Sequence, residues 1–217
     1  MAAEADIART AALIADPTRA TILDALSDGR ALPPSELAAA ARVSRSTASE
    51  HLAKMLAAGL LAVERGGRNR YYRLAGEHVA AALEALAVIS PERPVRSLRD
   101  ANRAGALSEA RTCYGHLAGR LGVSIADALT EQGALVRDGD SFAVGDPAPL
   151  RRLGLDSPRG AKPCNDWSER RPHVAGPLGV ALAKLLFERG WIERLPQPRA
   201  VRVTDDGRRG LHDALGI

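Results

Sequence analysis

The chain has 217 residues, which is enough for one large domain or two smaller ones with separate hydrophobic cores, and we expect two. No stretch reaches the roughly 18 apolar residues that span a bilayer. The N-terminus also lacks an apolar core of signal-peptide length, so we expect a cytoplasmic protein without membrane contacts. The net charge is only +4, so the positions of the charges carry more information than their sum.

The N-terminal part of the chain predicts a succession of short helices. Apolar residues recur with helical spacing over residues 6–15 and 18–27, and Pro17 suits the first turn of the second helix. A third helix is expected over residues 36–41, where two prolines and a serine precede it. Residues 42–44 then form the turn into a fourth helix, which completes a helix-turn-helix order.

The fourth helix has one apolar and one polar face. Ser44 precedes it as an N-cap, and Gly59 ends it because glycine readily adopts a positive φ. The opposite face presents short polar and charged side chains, as helices that contact DNA bases do. The side chains expected to face the core are Ala48, Leu52, Met55 and Leu56.

A two-stranded hairpin is expected directly after this helix. Residues 60–65 and 69–74 alternate as strands do, around a turn at Gly66-Gly67. Residues 42–73 hold six arginines and one lysine against two glutamates, a net charge of +5, whereas the rest of the chain sums to −1. Phosphate binding needs such a local excess of positive charge. The pattern therefore predicts a winged helix-turn-helix.

Three short motifs in this region resemble those of one family. The sequences SRSTASEHL at residues 44–52, AGLL at 58–61 and GRNRYYRL at 67–74 are similar to motifs of ArsR-type (ArsR/SmtB-like) winged-helix repressors. The likeness covers roughly residues 7–89. It implies that residues 1–90 bind double-stranded DNA as a winged helix-turn-helix and associate as a homodimer.

The charge pattern and the resemblance together give the candidate DNA-binding side chains. Those on the helix are expected to reach base edges, and those on the hairpin to contact phosphates or enter the minor groove. They are Arg45, Ser46, Thr47, Ser49, Glu50 and Lys54 on the helix and Arg65, Arg68, Asn69 and Arg70 on the wing. Glu50 departs from the glutamine or arginine usual in the family, so it either accepts from a cytosine amino group or points away. His51 either packs inside the domain or contacts DNA.

Members of the family that this region resembles commonly lose DNA affinity when they bind a metal. The positions that usually bind the metal in that family lack a complete set of ligands here. Residues 36–41 contain no thiol, and a helix expected over residues 77–89 offers only His78 and Glu84 as ligands. In the family the first and last helices of the domain form the dimer interface. The apolar face of helix 77–89 fits that use.

The second half of the chain contains an internal repeat. Residues 91–103 form a predicted linker, since Ser90-Pro-Glu-Arg-Pro94 breaks the helical pattern. Residues 116–137 and 173–194 align without a gap at an offset of 57, with 11 of 22 positions identical. We therefore expect residues 104–217 to form one internally duplicated domain. The predicted fold class is mainly α with small β hairpins, an N-terminal winged helix-turn-helix followed by a duplicated, winged-helix-like helix-hairpin domain.

Each copy of the repeat is expected to start with a helix and to continue into a hairpin. The helices would begin at His116 and His173, and the small pairs Ala118-Gly119 and Ala175-Gly176 would let them approach closely. The hairpins are expected over residues 134–144 and 191–204, and each is followed by a short amphipathic segment, residues 147–155 and 205–215.

The duplicated domain carries the candidate effector residues. Cys113 and His116 would lie one helical turn apart, and the second copy supplies Cys164 and His173. If the copies pair about a pseudo-two-fold axis, these four side chains converge into a set that suits zinc or a similar ion. In a cytosolic chain we expect both cysteines to be reduced thiols.

Three roles stay open for this region. It could sense a metal or an oxidant through the thiols, bind a small organic ligand against Trp167, or serve structure alone. Catalysis is not expected, because the sequence has none of the common nucleotide-binding, hydrolase or zinc-protease motifs. The function predicted is a DNA-binding regulator of transcription, a repressor released from its operator by an effector. The alternatives are a protein-interaction module that has lost DNA binding and an anti-regulator that has lost effector sensing.

Overall fold

Two compact units make up the chain, Met1–Ala80 and Ala81–Ile217. The sequence placed the division at residue 90, because the helical pattern breaks there; the structure places it earlier, within a helix that begins in the first unit and continues into the second. The computed structural model describes residues 4–91, 93–139, 141–156 and 160–217.

The first unit begins with four helices, and each forms where the sequence predicts one. Ser44 caps the fourth helix, since its side chain accepts a hydrogen bond from the amide of Thr47. Gly59 follows that helix with a φ of +73°. The helices are α1 (Ile7–Ile14), α2 (Pro17–Leu26), α3 (Pro34–Ala41) and α4 (Arg45–Ala57).

The core of the first unit is built on the apolar face of α4. Ala48, Leu52 and Met55 are fully buried, as predicted, but Leu56 is 40% exposed. At 100° per residue Leu56 lies about 80° around the helix from Ala48, at the edge of the stripe rather than in it. From the other elements, Ile22, Leu26, Leu37 and Leu74 complete this core.

The predicted hairpin is formed by β1 (Leu61–Gly66) and β2 (Asn69–Leu74). Gly66 pairs with Asn69, so the two turn residues are Gly67 and Arg68 rather than the predicted Gly66 and Gly67. Gly67 has a φ of +61°, the left-handed conformation that tight hairpin turns require. The shift by one residue places Arg68 at the tip of the wing.

Helix α5 (Glu77–Ile89) agrees with the prediction, but the predicted linker contains a further helix. Residues 98–103, assigned to the linker, belong to α6 (Leu98–Glu109), whose N-cap Ser97 accepts from the amide of Asp100. The sequence prediction missed α6 because its composition is polar and none of its residues is fully buried. None of the described helices is long and apolar enough to cross a membrane.

The remainder of the second unit repeats one order of elements, two strands, a helix, two strands and a helix. The first series is β3 (Arg111–Cys113), β4 (His116–Ala118), α7 (Gly119–Glu131), β5 (Leu135–Asp138), β6 (Ser141–Val144) and α8 (Ala148–Arg152). The second is β7 (Lys162–Asn165), β8 (Pro172–Ala175), α9 (Gly176–Glu188), β9 (Ile192–Arg194), β10 (Val201–Val203) and α10 (Asp205–Leu215).

The starts of the two repeat helices differ from the prediction. His116 and His173 lie on strands β4 and β8, and the helices begin three residues later. The first helical residues, Gly119 and Gly176, have φ values of +77° and +71°, so the chain turns sharply between strand and helix. The predicted Ala-Gly pairs therefore mark these turns and not a helix–helix contact.

The close contact between the two series is instead made by a second pair of glycines. Helix α7 packs against β8, and α9 packs against β4. A Cβ atom on Gly122 would lie 3.4 Å from the Cβ atom of His173, and one on Gly179 would lie 3.1 Å from that of His116. The absence of a side chain at these glycines lets each helix lie directly behind the histidine of the other series.

Candidate functional site: a DNA-binding surface and a buried cysteine-histidine cluster

The polar face of α4 is open to solvent. Five of the six candidate DNA-binding residues of this helix are exposed, and Thr47 is half-buried. The Oγ atom of Ser44 lies 2.8 Å from that of Ser46 and 2.9 Å from Oγ1 of Thr47, so the cap also orders these two hydroxyl groups. The helix therefore presents a row of short donors and acceptors, which is the chemistry that reads base edges.

The wing carries an exposed cluster of positive charge. Arg65 and Arg70 are directly opposite each other in the hairpin, and Arg68 lies at the turn. All three side chains are exposed. The acid of the first strand, Glu64, is paired with Arg73 and so does not neutralise the arginines at the tip. The wing is therefore suited to contacts with phosphate groups.

His51 takes the packing role of the two that the sequence left open. Its Nδ1 atom lies 3.4 Å from a guanidinium nitrogen of Arg19 and 3.8 Å from Oδ1 of Asp16. The ring is half-buried against the start of α2. His51 thus connects the recognition helix to the helix that supports it.

The structure brings the four predicted cysteine and histidine side chains together. One ligand atom from each of Cys113, His116, Cys164 and His173 lies within 4.8 Å of the others. Cys164 is half-buried and the other three residues are buried. The cluster joins one cysteine and one histidine from each series of the second unit.

The convergence follows from hairpin geometry and not from the helical spacing that the sequence suggested. Cys113 pairs with His116 across the two-residue turn Tyr114-Gly115, and Cys164 pairs with His173. Tyr114 and Gly115 both have positive φ values, +47° and +91°, as a tight hairpin turn requires. Directly opposed residues on two antiparallel strands project to the same face of the hairpin, so each hairpin presents a thiol beside an imidazole.

The two imidazole rings face each other through their Nε2 atoms. These atoms are 3.1 Å apart, and the ring centroids are 5.0 Å apart. His173 is completely buried and His116 is 7% exposed. Both rings therefore direct the same nitrogen into the centre of the cluster.

A buried carboxylate holds His173 from behind. An Oδ2 atom of Asp166 lies 3.3 Å from Nδ1 of His173 and 3.0 Å from a guanidinium nitrogen of Arg111. The amide of Gly119 donates to the same oxygen at 2.6 Å, and Ser168 donates to the other oxygen from its amide and its hydroxyl group. The carboxylate therefore lies beside Nδ1 of His173, while Nε2 faces His116.

Sequence reasoning did not identify Asp166 and Arg111 as parts of the cluster. The signal available was the spacing, since two residues separate cysteine from histidine in the first series and eight in the second. The longer loop supplies Asp166. Arg111 lies in a three-residue strand that carries no pattern of its own.

Trp167 lies over Arg111 and is not a wall of the cluster. Its ring centroid is 4.4 Å from the guanidinium carbon, a cation–π distance. Arg111 also donates to the carbonyl of Leu107 and to Oγ of Ser168. Trp167 therefore covers the buried arginine, and its role beside an organic ligand stays a prediction.

The buried groups have shifted pKa values. The hydrogen bond with Cys164 and then burial raise the pKa of Cys113 to about 12, although both histidines act in the opposite direction. Burial raises the pKa of Asp166, but His173 and Arg111 outweigh it and hold that pKa well below its usual range. Burial lowers the pKa of His173, yet Asp166 and Cys113 outweigh it and raise that pKa. In the absence of an ion, these contacts therefore favour the protonated form of the Cys113 thiol.

The cysteine strand is joined to α5 by a second buried network. Glu84 of α5 is paired with Arg199, and both side chains are buried. Nε of Arg199 donates to the carbonyl of Thr112 at 3.0 Å, and the amide of Thr112 donates to the carbonyl of Arg199 at 2.8 Å. Thr112 directly precedes Cys113, so a chain of polar contacts runs from the cluster to α5. Glu84, one of the two possible metal ligands on that helix, therefore already forms an ion pair with Arg199.

The space beside the cluster is small and apolar. A cavity behind the two histidine strands has room for about one water molecule. Its lining residues are Leu117, Gly122, Ile125, Val174, Gly179 and Leu182.

Comparison with known sequences identifies relatives of the chain. A family model described as a helix-turn-helix domain matches residues 14–64. The chain is 42% identical to the uncharacterized HTH-type transcriptional regulator YdfF of Bacillus subtilis strain 168, with 98% of each chain covered. It is also 42% identical over 80 residues to the HTH-type transcriptional regulator CmtR of Mycobacterium tuberculosis strain H37Rv, covering 37% of this chain and 67% of the relative.

Solved structures are similar over part of the chain. The homodimeric winged helix-turn-helix domain of Mb0332 from Mycobacterium bovis, described as a possible ArsR-family transcriptional regulator, is 32% identical and covers 41% of this chain and 89% of that domain, with a TM-score of 0.36. The cadmium metal-sensor CmtR from M. tuberculosis is 37% identical and covers 43% of this chain and all of that one, with a TM-score of 0.34. The match to YdfF along nearly its whole length, the helix-turn-helix match and the winged hairpin together establish that the chain belongs to the HTH-type transcriptional regulators, as its resemblance to ArsR-type repressors implied.

Proposed function

We propose that this regulator is a cytoplasmic, homodimeric repressor that binds a pseudo-palindromic operator and releases it when an effector binds the second unit. The observation that carries the proposal is the polar route from Cys113 through Thr112 and Arg199 to Glu84 on α5. Helix α5 follows the wing directly, and its first residues belong to the DNA-binding unit. A change at the cysteine strand therefore has a physical path to the helix that leaves the wing.

DNA binding rests on the exposed face of α4 and on the wing arginines. Two recognition helices in a dimer would enter successive major grooves about one helical turn apart. The wing arginines would hold each unit on the phosphate backbone and make the affinity dependent on salt.

The homodimer is supported by apolar side chains that the single chain leaves uncovered. On α5, Leu86 is 41% exposed and Ile89 is 78% exposed; on α1, Ile7 is 77% exposed. These are the helices that form the dimer interface in the family that the sequence resembles. A second copy would cover such side chains.

Release requires that the effector binds the conformation without DNA more tightly than the conformation on DNA, because only a difference in affinity shifts the equilibrium. The cysteine-histidine cluster is the proposed effector site. Its chemistry suits a metal ion or a thiol oxidant, and its four ligand atoms already lie close together.

The test starts from the full-length protein and a pool of random double-stranded DNA. We expect selection to enrich a sequence with two-fold symmetry, and a reporter with that sequence in its promoter to be repressed. The affinity for the selected DNA is then measured with zinc and with hydrogen peroxide, using wild type and Cys113→Ser. Failure to enrich any sequence would favour a protein-interaction module. If neither zinc nor hydrogen peroxide changes the affinity for DNA, the cluster is not the effector site.

A further inference from the structure

We infer that Cys113, His116, Cys164 and His173 form a closed, four-coordinate site for a divalent transition-metal ion, with zinc as the reference ion, and that Asp166 positions His173 to ligate through Nε2. The assignment names the effector of the proposed function, but ion binding can be measured without DNA. The two ideas can therefore fail separately.

The spacing of the ligand atoms fits a tetrahedral ion. Zinc bonds to histidine nitrogen are about 2.0–2.1 Å long and bonds to cysteine sulfur about 2.3 Å, so the ligand atoms around a tetrahedral ion stand about 3.3–3.8 Å apart. The two Nε2 atoms are 3.1 Å apart, and all four ligand atoms lie within 4.8 Å of one another. Small side-chain adjustments would therefore complete the site.

The surroundings of His173 provide an independent argument. Metal-bound histidines usually donate their second ring nitrogen to a carboxylate or carbonyl oxygen, which fixes the tautomer and the ring orientation. Asp166 lies 3.3 Å from Nδ1 of His173, the ring nitrogen that does not face His116. Asp166 is itself held by Arg111 and by the amide of Gly119. The carboxylate is therefore a rigid support behind the ligand.

The charges of the site balance when an ion is bound. Binding releases one proton from each thiol, and the two thiolates then neutralise a divalent cation, while two neutral histidines add no charge. Asp166 and Arg111 form a separate ion pair, and both side chains are completely buried. A neutral centre beside a neutral pair avoids the large cost of an unpaired buried charge.

The ligand set also indicates what kind of site this is. Four protein ligands fill the coordination sphere of a tetrahedral ion and leave no position for a substrate or a catalytic water. Two thiolates and two imidazoles favour zinc, cadmium or cobalt over magnesium or calcium, which prefer oxygen. The site is therefore suited to holding or sensing an ion and not to hydrolysis.

Cobalt titration of the reduced, full-length protein tests the assignment. We expect one Co²⁺ per chain, with the intense visible bands of a tetrahedral ion and a thiolate-to-cobalt charge-transfer band, and displacement of cobalt by zinc. Cys164→Ser and His116→Gln should each weaken binding by at least about 10-fold and alter the spectrum. The matched control is His212→Gln, an exposed histidine outside the cluster, which should bind as wild type does.

Asp166→Asn tests the positioning role. We expect the spectrum to keep its tetrahedral form while the affinity falls about 10- to 100-fold, as is typical for the loss of such a partner. Asp166→Glu should keep part of the affinity that Asp166→Asn loses, because it retains the carboxylate. An unchanged affinity in folded Asp166→Asn would remove Asp166 from the site.

Two outcomes would overturn the metal site itself. One is reduced, folded wild-type protein that binds neither Co²⁺ nor Zn²⁺ at micromolar concentration. The other is a cobalt spectrum without the charge-transfer band. Because the thiol variants can fail to fold, alkylation of the wild type is a second measurement, and zinc should protect both cysteines. A site that binds zinc without changing operator affinity would leave the assignment standing and refute zinc as the effector.

Discussion

Glu84 and Arg199 form a buried ion pair between α5 and the loop that precedes β10. Breaking a buried pair by removing one partner leaves an uncompensated charge in the interior. We expect Arg199→Met to lower the free energy of unfolding by about 3–5 kcal/mol, and Glu84→Leu combined with Arg199→Met to recover most of that loss. Chemical denaturation measures both. Arg209→Ala breaks an exposed ion pair with Asp206 and should cost less than about 1 kcal/mol.

The wing should contribute phosphate contacts that salt weakens. Replacing Arg68 and Arg70 together with alanine should lower operator affinity and reduce the slope of log K against log salt by about 2, since each lost phosphate contact removes about 0.9. Fluorescence anisotropy at several salt concentrations gives the slope. Arg208→Ala, an exposed arginine on α10, is the control. A slope that stays at the wild-type value would exclude the wing from the backbone contacts.

Glu50 is exposed on α4 among side chains expected to face DNA. An acid in this position repels phosphate and, if it reads a base, accepts from cytosine. We expect Glu50→Gln to bind random-sequence DNA several-fold more tightly and to discriminate less between operators that differ at one base pair. Binding measured on a panel of single-substitution operators shows this. Equal discrimination by both proteins would mean that Glu50 points away from the bases.

Ile89 is 78% exposed on α5 in the single chain. A charge placed in a dimer interface is desolvated without a partner, so Ile89→Glu should shift the protein to monomer and weaken operator binding. Light scattering after size-exclusion chromatography reports the mass. Val136→Glu introduces the same charge at a 50%-exposed residue of β5 and should leave the dimer intact. If both variants stay dimeric, the interface does not include Ile89.

Gly122 lies where a side chain has no room. An added Cβ atom would come within 2.5 Å of the carbonyl oxygen of Leu117, which belongs to β4. We expect Gly122→Ala to destabilise the protein by about 1–3 kcal/mol, the usual cost of overpacking, and to weaken cobalt binding. Gly105→Ala in α6 meets nothing within 4 Å and should stabilise by about 0.4–1 kcal/mol. Thermal unfolding compares the two, and equal melting temperatures would contradict the packing argument.

The DNA-binding unit could be predicted closely because its signals are local. Ser44, Pro17 and Gly59 act within one helical turn of their own positions, and the apolar spacing of α4 identifies its buried face. The errors are small and have local causes. Leu56 lies at the edge of the stripe, and the turn shifts by one residue because Gly66 still pairs with Asn69.

The cluster was predicted from the repeat, but through the wrong local structure. The offset of 57 between the histidines indicated that the two copies meet, while the Cys-x-x-His spacing was interpreted as helical. A helix turn and a two-residue hairpin both place such residues side by side, so the spacing alone does not distinguish them. Tyr114 has a positive φ, which is compatible with the hairpin turn and not with a helix. Positive φ values are uncommon outside glycine, so the sequence does not predict one at a tyrosine.

The groups behind the cluster could not be predicted, because they depend on tertiary contacts. Asp166 reaches Arg111 and Gly119 across the boundary between the two series, and nothing in the sequence links these positions. Helix α6 was missed for a related reason. Its few apolar residues are mostly alanine, so the N-cap Ser97, which accepts from the amide of Asp100, was the clearest signal.

Each series of the second unit contributes one cysteine and one histidine, so neither series alone contains a complete site. A bound ion would join strands that lie far apart in the sequence without a disulfide between them. Unlike a disulfide, the bonds from cysteine and histidine to the ion can be made and broken in the folded protein by competition with cellular chelators. The two halves would then be cross-linked when the ion is abundant and held by packing alone when it is scarce, so ion supply would set the stiffness of the domain.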